Sequence, residues 1–319
     1  MLSRVADSIY WLNRYVERAE NVARFIDVNL NLLLDTPVGT DQQWEPLIVT
    51  TGDRDQFIEH YGEPSAENVL RFLTFDRNSY NSILSCVRAA RENARSVREI
   101  ISSEVWEQVN SFYLMVEEAA KAEAELDLFN FYPQVKLASH LFSGVMDSTM
   151  SHNEGWHFGR MGRLLERADK TARILDVKYY ILLPSVNYIG TPLDDLQWIA
   201  LLKSASAYEM YRKSHKRISP EGVTAFLLLD REFPRSIQYC LLQAETSLHQ
   251  ISNTSLGNCQ LNSERTLGRL RASLEYSTLE DIMGQGLHEF LDDLQNKLNQ
   301  IDSAVHQDFV ALPGGQAAP

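Results

Sequence analysis

The chain has 319 residues, 44% of them hydrophobic, and a formal net charge of −13. That size and apolar content suit a substantial buried core, and the negative balance argues against a general nucleic-acid binder. Its three cysteines, Cys86, Cys240 and Cys259, lack metal-site spacing and suit the reduced thiols of a cytoplasmic protein.

In chain order, residues 1–12 carry Arg4 and Asp7 and no long apolar run, so no secretory leader is expected. Residues 9–34 place apolar side chains at helical spacing, which predicts one long helix, and residues 35–51 read as a loop. Arg88, Arg91, Arg95 and Arg98 follow at spacings of 3, 4 and 3 within residues 83–101, aligning them on one side of a predicted helix as a candidate partner surface. Trp106, Val109, Tyr113 and Val116 mark a further helix. Around residues 146–155 the pattern breaks, and the stretch from Ser151 to Arg163 leads into a second long helix over residues 158–182, ended by Pro184. His152, Glu154 and His157 match no metal-binding spacing, and no metal or other cofactor is expected. Gly159 and Gly162 follow no strand and suit close helix approach better than a phosphate loop. Residues 183–191 read as a second loop. Beyond it, Thr191-Pro192, Ser219-Pro220 and a capping box at Ser277 and Glu280 announce helix starts, and residues 282–309 read as a last helix. Residues 312–319 read as a frayed tail. No apolar run reaches the length of a membrane span.

The two long helices share a pattern. Residues 14–28 read RYVERAENVARFIDV and residues 163–177 read RLLERADKTARILDV, identical at eight of fifteen positions. Two further blocks recur in the same order. The stretch from Asp41 to Leu47 matches that from Asp195 to Leu201, and the stretch from Ser65 to Cys86 matches that from Ser219 to Cys240. One insertion near residues 180–188 accounts for the change of offset. The expectation is an all-α helical bundle of two homologous halves related by an internal duplication, residues 1–149 and 150–311, packed as one unit.

Within the repeated helix the polar residues lie on one face, centred on Glu17 in the first copy and Glu166 in the second. Charged positions persist between copies while apolar ones drift. Cores accept volume-conserving swaps, whereas a forked Arg–carboxylate contact does not accept replacement. The candidate network is therefore Arg14, Glu17, Arg18, Asn21 and Arg24 with Arg163, Glu166, Arg167, Asp169 and Arg173. Two uses fit it. In one, the helices face each other across a pseudo-twofold axis, Glu17 meeting Arg167 or Arg173 and Glu166 meeting Arg18 or Arg24, which would fix register. Alternatively, carboxylates and arginines line a cleft for a zwitterionic or carboxylate-bearing ligand, with Glu17 or Glu166 the only candidates for a catalytic base.

The segments Leu2 to Asn21, Arg91 to Glu99, Gly155 to Asp169 and Phe233 to Ser236 resemble the alpha-E family of bacterial proteins. That family is named for a helical fold and a Glu-Arg pair, here Glu17-Arg18 and Glu166-Arg167. The resemblance implies an association with circularly permuted ATP-grasp ligases and transglutaminase-like cysteine peptidases, systems thought to form and cleave amide bonds on peptides or small molecules. It implies an accessory protein that binds a peptide, an amino acid or the ligase, with an enzyme acting on amide or aminoacyl bonds as the alternative. Neither nucleic acid nor membrane is an expected partner.

Overall fold

The computed structural model describes residues 1–35, 44–180 and 192–311. Among these the chain is all-helical, with no strand and no helix long and apolar enough to cross a membrane. The two predicted long helices are α1 (Ser3–Asp35) and α8 (Glu154–Tyr180), and they pack against each other along the middle of the bundle.

Each carries its own escort. Helix α1 lies against α5 (Ile83–Ser96) and α7 (Leu128–Thr149), with α6 (Ser103–Lys121) bridging those two. Helix α8 lies against α12 (Ile237–Ser252) and α15 (Leu287–Phe309), bridged by α13 (Asn262–Tyr276). Two shorter helices cross over: α2 (Glu45–Thr51) packs on α8, and α9 (Pro192–Ser204) packs on α1. The core runs through both groups, from Ile9, Leu12, Val16 and Ile26 of α1 to Leu165, Leu241 and Leu291.

Side-chain caps set the helix starts. Ser65 begins α4 (Ala66–Thr74), Ser82 begins α5, Ser219 begins α11 (Pro220–Leu229) and Ser236 begins α12, each hydroxyl accepting from the third backbone N–H of its helix. The short α3 (Arg54–Tyr61) and α10 (Tyr208–Ser214) complete the connections.

Four sequence expectations need correction. Residues 35–51 are not wholly a loop: Glu45–Thr51 is helical, begun by Pro46 in its first turn and ended by Gly52 at φ 84°. The arginine stripe does not ride one helix. Helix α5 stops at Ser96, where the Val97 N–H turns back to the Ala94 carbonyl, and the following turn buries Val97 and Ile101 with Arg98 between them. The capping box before α14 (Leu279–Gln285) uses Thr278 and Asp281, one residue later than expected, because Ser277 Oγ is engaged by the Ser273 carbonyl. The last predicted helix is two, since Gly286 at φ 102° breaks α14 from α15. The expected loop at 183–191 and the tail at 312–319 lie outside the described residues.

Candidate functional site

The α1–α8 contact is close enough to need glycine. A Cβ on Gly162 would stand 2.6 Å from the Tyr10 carbonyl oxygen, and one on Gly159 would stand 2.5 Å from both Asn13 Nδ2 and Met146 Cε. This approach brings the two charged faces together.

Each central glutamate is held by the arginine that follows its counterpart. Arg167 grips Glu17 with Nε and Nη2 at 2.8 Å each, and Arg18 grips Glu166 with Nε at 2.7 Å and Nη2 at 2.9 Å. Both are two-pronged contacts, the geometry in which arginine is hardest to replace. The remaining partners differ. Arg235, at the start of α12, donates to Glu17 Oε1, to Asn21 Oδ1 and, at 2.7 Å, to Glu20 Oε2. Arg24 also pairs with Glu20. On the other side Arg14 adds Nε and Nη2 to Glu166, at 2.8 Å each, and reaches Asp302 of α15, which Tyr10 also contacts. Arg173 stays on its own helix, bound to Asp169.

Burial alone would raise the Glu17 carboxyl, yet Arg167 and Arg235 outweigh it and hold the group below its ordinary range. Burial works the same way against Glu166, and Arg18, Arg14 and Lys170 hold it well below. Both sites are ionised pairs at neutral pH.

Arg163 stands apart. It occupies the place in α8 that Arg14 occupies in the repeated pattern of α1, but its Nε has no hydrogen-bond partner among the described residues. Burial and the neighbouring Arg167 push it down to about 10.

Guanidinium groups cover both glutamates, and on the Glu166 side a cavity of about 150 Å³ lies beyond Arg14 and Arg18. Arg14, Arg18, Asp169, Lys170, Arg173 and Asp302 are its charged lining, and Thr51 and Asn81 are among its polar residues. A larger cavity of about 400 Å³ lies across the Tyr10–Asp302–Arg14 bridge, walled by Trp11, Phe158 and Val305.

A family model described as a predicted alpha-helical domain with a conserved ER motif matches residues 1–310. The chain belongs to the Alpha-E family. In this Alpha-E chain the Glu-Arg dipeptides at Glu17-Arg18 and Glu166-Arg167 hold each other across the α1–α8 contact. Among curated proteins it is similar to an uncharacterized protein of Mycobacterium bovis, 24% identical over 340 residues, covering 98% of this chain and 37% of that protein. An uncharacterized protein of Mycobacterium tuberculosis strain H37Rv is 23% identical with the same coverage. The chain thus spans little more than a third of the relatives it matches. No solved structure matches.

The arginine stripe divides by role. Arg91 lies over the Tyr113 and Trp106 rings and donates to Asn110 Oδ1, and Arg98 lies over Trp106 from the turn beyond the helix. Arg88 and Arg95 are exposed. His152 stacks on Trp156, and among the described residues no group of three His, Cys, Asp or Glu is placed to hold a metal ion. Cys86 and Cys240 are buried in equivalent surroundings, their thiols pushed up to about 12 by burial, donating to the Tyr80 and Pro234 carbonyls.

The sequence pattern missed Arg235, Asn81, Lys170, Glu20, Tyr10 and Asp302 as site residues. Two of these had a signal. Asn81 stands where the second block has Arg235, each just before a capping serine, and Lys170 stands where the first long helix has Asn21. Positions that differ between otherwise matching blocks mark where the sides diverge. Asp302 had none, since only the packing of α15 brings it to Arg14.

Proposed function

We propose that this chain is a non-catalytic binding component of an amide-ligase system, and that its halves arose by duplication. The observation that carries the reading is the contrast between the two glutamate sites: arginines cap both, and the Glu166 site also borders a cavity lined by Arg14, Arg18, Lys170 and Arg173 together with Asp169 and Asp302. Such a cavity suits capture of an anionic group. Base chemistry suits it poorly, because carboxylates held below their ordinary range by guanidinium groups are weak proton acceptors.

Matching contacts support the duplication. Under the 149-residue offset the Tyr10–Gly162 and Asn13–Gly159 approaches map onto each other, as do the Arg18–Glu166 and Arg167–Glu17 forks. The partners we propose are an ATP-grasp ligase and a transglutaminase-like peptidase, on the residues that carry the family resemblance. Since the chain covers 37% of its mycobacterial relatives, this region in them is joined to a longer remainder, an arrangement that suits a domain working beside another.

Co-purification of the ligase with the chain tests the partner reading. Arg88→Ala/Arg95→Ala is the informative variant, because Arg91 and Arg98 are committed to aromatic neighbours. Loss of the ligase from this variant is the expected result, and undiminished recovery counts against the surface. The non-catalytic half fails if the purified chain turns over an amide or aminoacyl substrate and Glu166→Gln abolishes that activity with the fold intact.

A further inference from the structure

The two glutamate sites are built from corresponding positions with one exchange between them. On the Glu17 side the cation comes from Arg235, and the helix position beside it is Asn21. On the Glu166 side the place of Arg235 is taken by Asn81, and the place of Asn21 by Lys170. The charge is the same but the volume is not. Arg235 lays its guanidinium across Glu17, Glu20 and Asn21. Asn81 is too short for that. Its Oδ1 accepts from Arg18 and its Nδ2 donates to both oxygens of Asp53. The space a guanidinium would fill remains open, at about 150 Å³ or roughly five waters.

The donors facing that space are unspent. Lys170 is buried, its side chain 6% exposed, and Nζ lies 3.2 Å from Asp169 Oδ2 and 3.8 Å from Glu166 Oε1. Neither carboxylate meets it in hydrogen-bonding geometry, and no other acceptor among the described residues does so. Arg173 commits Nε to Asp169, and its two Nη groups donate no hydrogen bond among the described residues. Lys170 Nζ and the Arg173 Nη groups border the cavity, so water or a bound acceptor satisfies them there. Four cations and three carboxylates surround the space when Glu166 beneath it is counted, so the local balance favours an incoming anion.

We propose that this cavity is a subsite for a small carboxylate, the C-terminus of a peptide or amino acid, received between Lys170 Nζ and the Arg173 Nη groups. The assignment deepens the binding reading above and rests on it only for the source of the ligand. A planar two-oxygen acceptor matches one ammonium and one guanidinium, and the small volume limits what enters to the end of a chain.

Isothermal titration of the full chain with glycylglycine, with glycylglycine amide and with inorganic phosphate tests it. The deciding variant is Asn81→Arg/Lys170→Asn, which copies Arg235 and Asn21 onto the Glu166 side without changing net charge. Wild type should bind the free dipeptide about tenfold or more tightly than the amide, and the swap should lose that preference while keeping its melting temperature. Lys170→Met, which leaves Glu166 its two arginines, serves in its place if the swap does not fold. Equal binding of the amide, phosphate binding as tight as the dipeptide, no binding of any probe, or full retention by the variants would each overturn the assignment. Ligase co-purification by the swap separates the two claims. Dipeptide binding without ligase recovery in wild type removes the partner reading alone, and ligase recovery without dipeptide binding removes the subsite alone.

Discussion

A carboxylate taken out of water must be repaid in kind, and Glu166 shows what this takes: Arg14 and Arg18 both donate to it, and Lys170 stands nearby. Arg14 and Arg163 come from matching positions and make opposite use of them, which yields a sharp comparison. Arg14→Met strips Glu166 and Asp302 of a shared partner and should cost about 3–5 kcal/mol, the usual penalty for breaking a buried pair. Arg163→Met removes a half-buried cation that has no ion-pair partner among the described residues and is already pushed down to about 10, so it should cost under about 1 kcal/mol or stabilise the chain. Chemical denaturation of the two variants decides it, and equal losses would mean that Arg163 has a role its geometry does not display. At this scale the sequence was informative about which groups matter and offered each glutamate two arginine partners without choosing between them. Charged positions that persisted while their apolar neighbours drifted pointed to Glu17, Arg18, Glu166 and Arg167, but the pattern treated Arg163 as the equal of Arg14. The difference lies in Asp302, which no local pattern connects to either.

Helices here are specified by periodicity and by their first residues, and they are misread where one backbone angle decides. Ser219 before Pro220 was a readable start because the hydroxyl and the first-turn geometry act within four residues. The break at Gly286 was not, since the apolar stripe of α14 runs on into α15 and only the positive φ interrupts it. The α1–α8 contact gives a prediction with an internal control. Gly162→Ala puts a methyl 2.6 Å from the backbone oxygen of Tyr10, which cannot rotate away, and should cost about 1–3 kcal/mol through helix displacement. Gly144, inside α7, has nothing within 4 Å of the same methyl, so Gly144→Ala should gain about 0.5–1 kcal/mol from helix propensity. Thermal unfolding of both reads the contrast. A neutral Gly162→Ala would show that the two long helices are not held as close as described, and a destabilised Gly144→Ala would show that α7 is packed more tightly there than described.

Across the whole molecule the ion pairs converge on one consequence, a stability that depends on pH from two sides. Glu17, Glu20, Glu166 and Asp169 are all lowered from ordinary values of 4.5 and 3.8, because their arginine and lysine neighbours outweigh burial. Glu264 joins them at about 2, its burial outweighed by the Leu261 N–H, the hydroxyls of Ser252 and Thr254, and the Gln260 N–H. Groups depressed on folding bind more protons when unfolded, so their contribution is complete above the ordinary carboxylate range and drains away as pH falls through it. His288 has the opposite sign. Its hydrogen bond to Asp176 raises it above 6.5, so its smaller contribution is complete below that value and fades as pH rises through the raised one. Melting temperature followed from pH 3 to 9 should therefore fall steeply below about pH 4.5 and decline gently on the alkaline side. Glu166→Gln should lower the plateau and flatten the acid limb, since one titrating group is gone, and His288→Gln should remove the decline that begins near neutrality, leaving the later decline toward pH 9 that the two buried thiols contribute. An acid limb of unchanged steepness in Glu166→Gln would mean that the carboxylate does not titrate with folding. The paired glutamates would then be partners by proximity only, and the reason offered for their persistence in both long helices would have to be replaced.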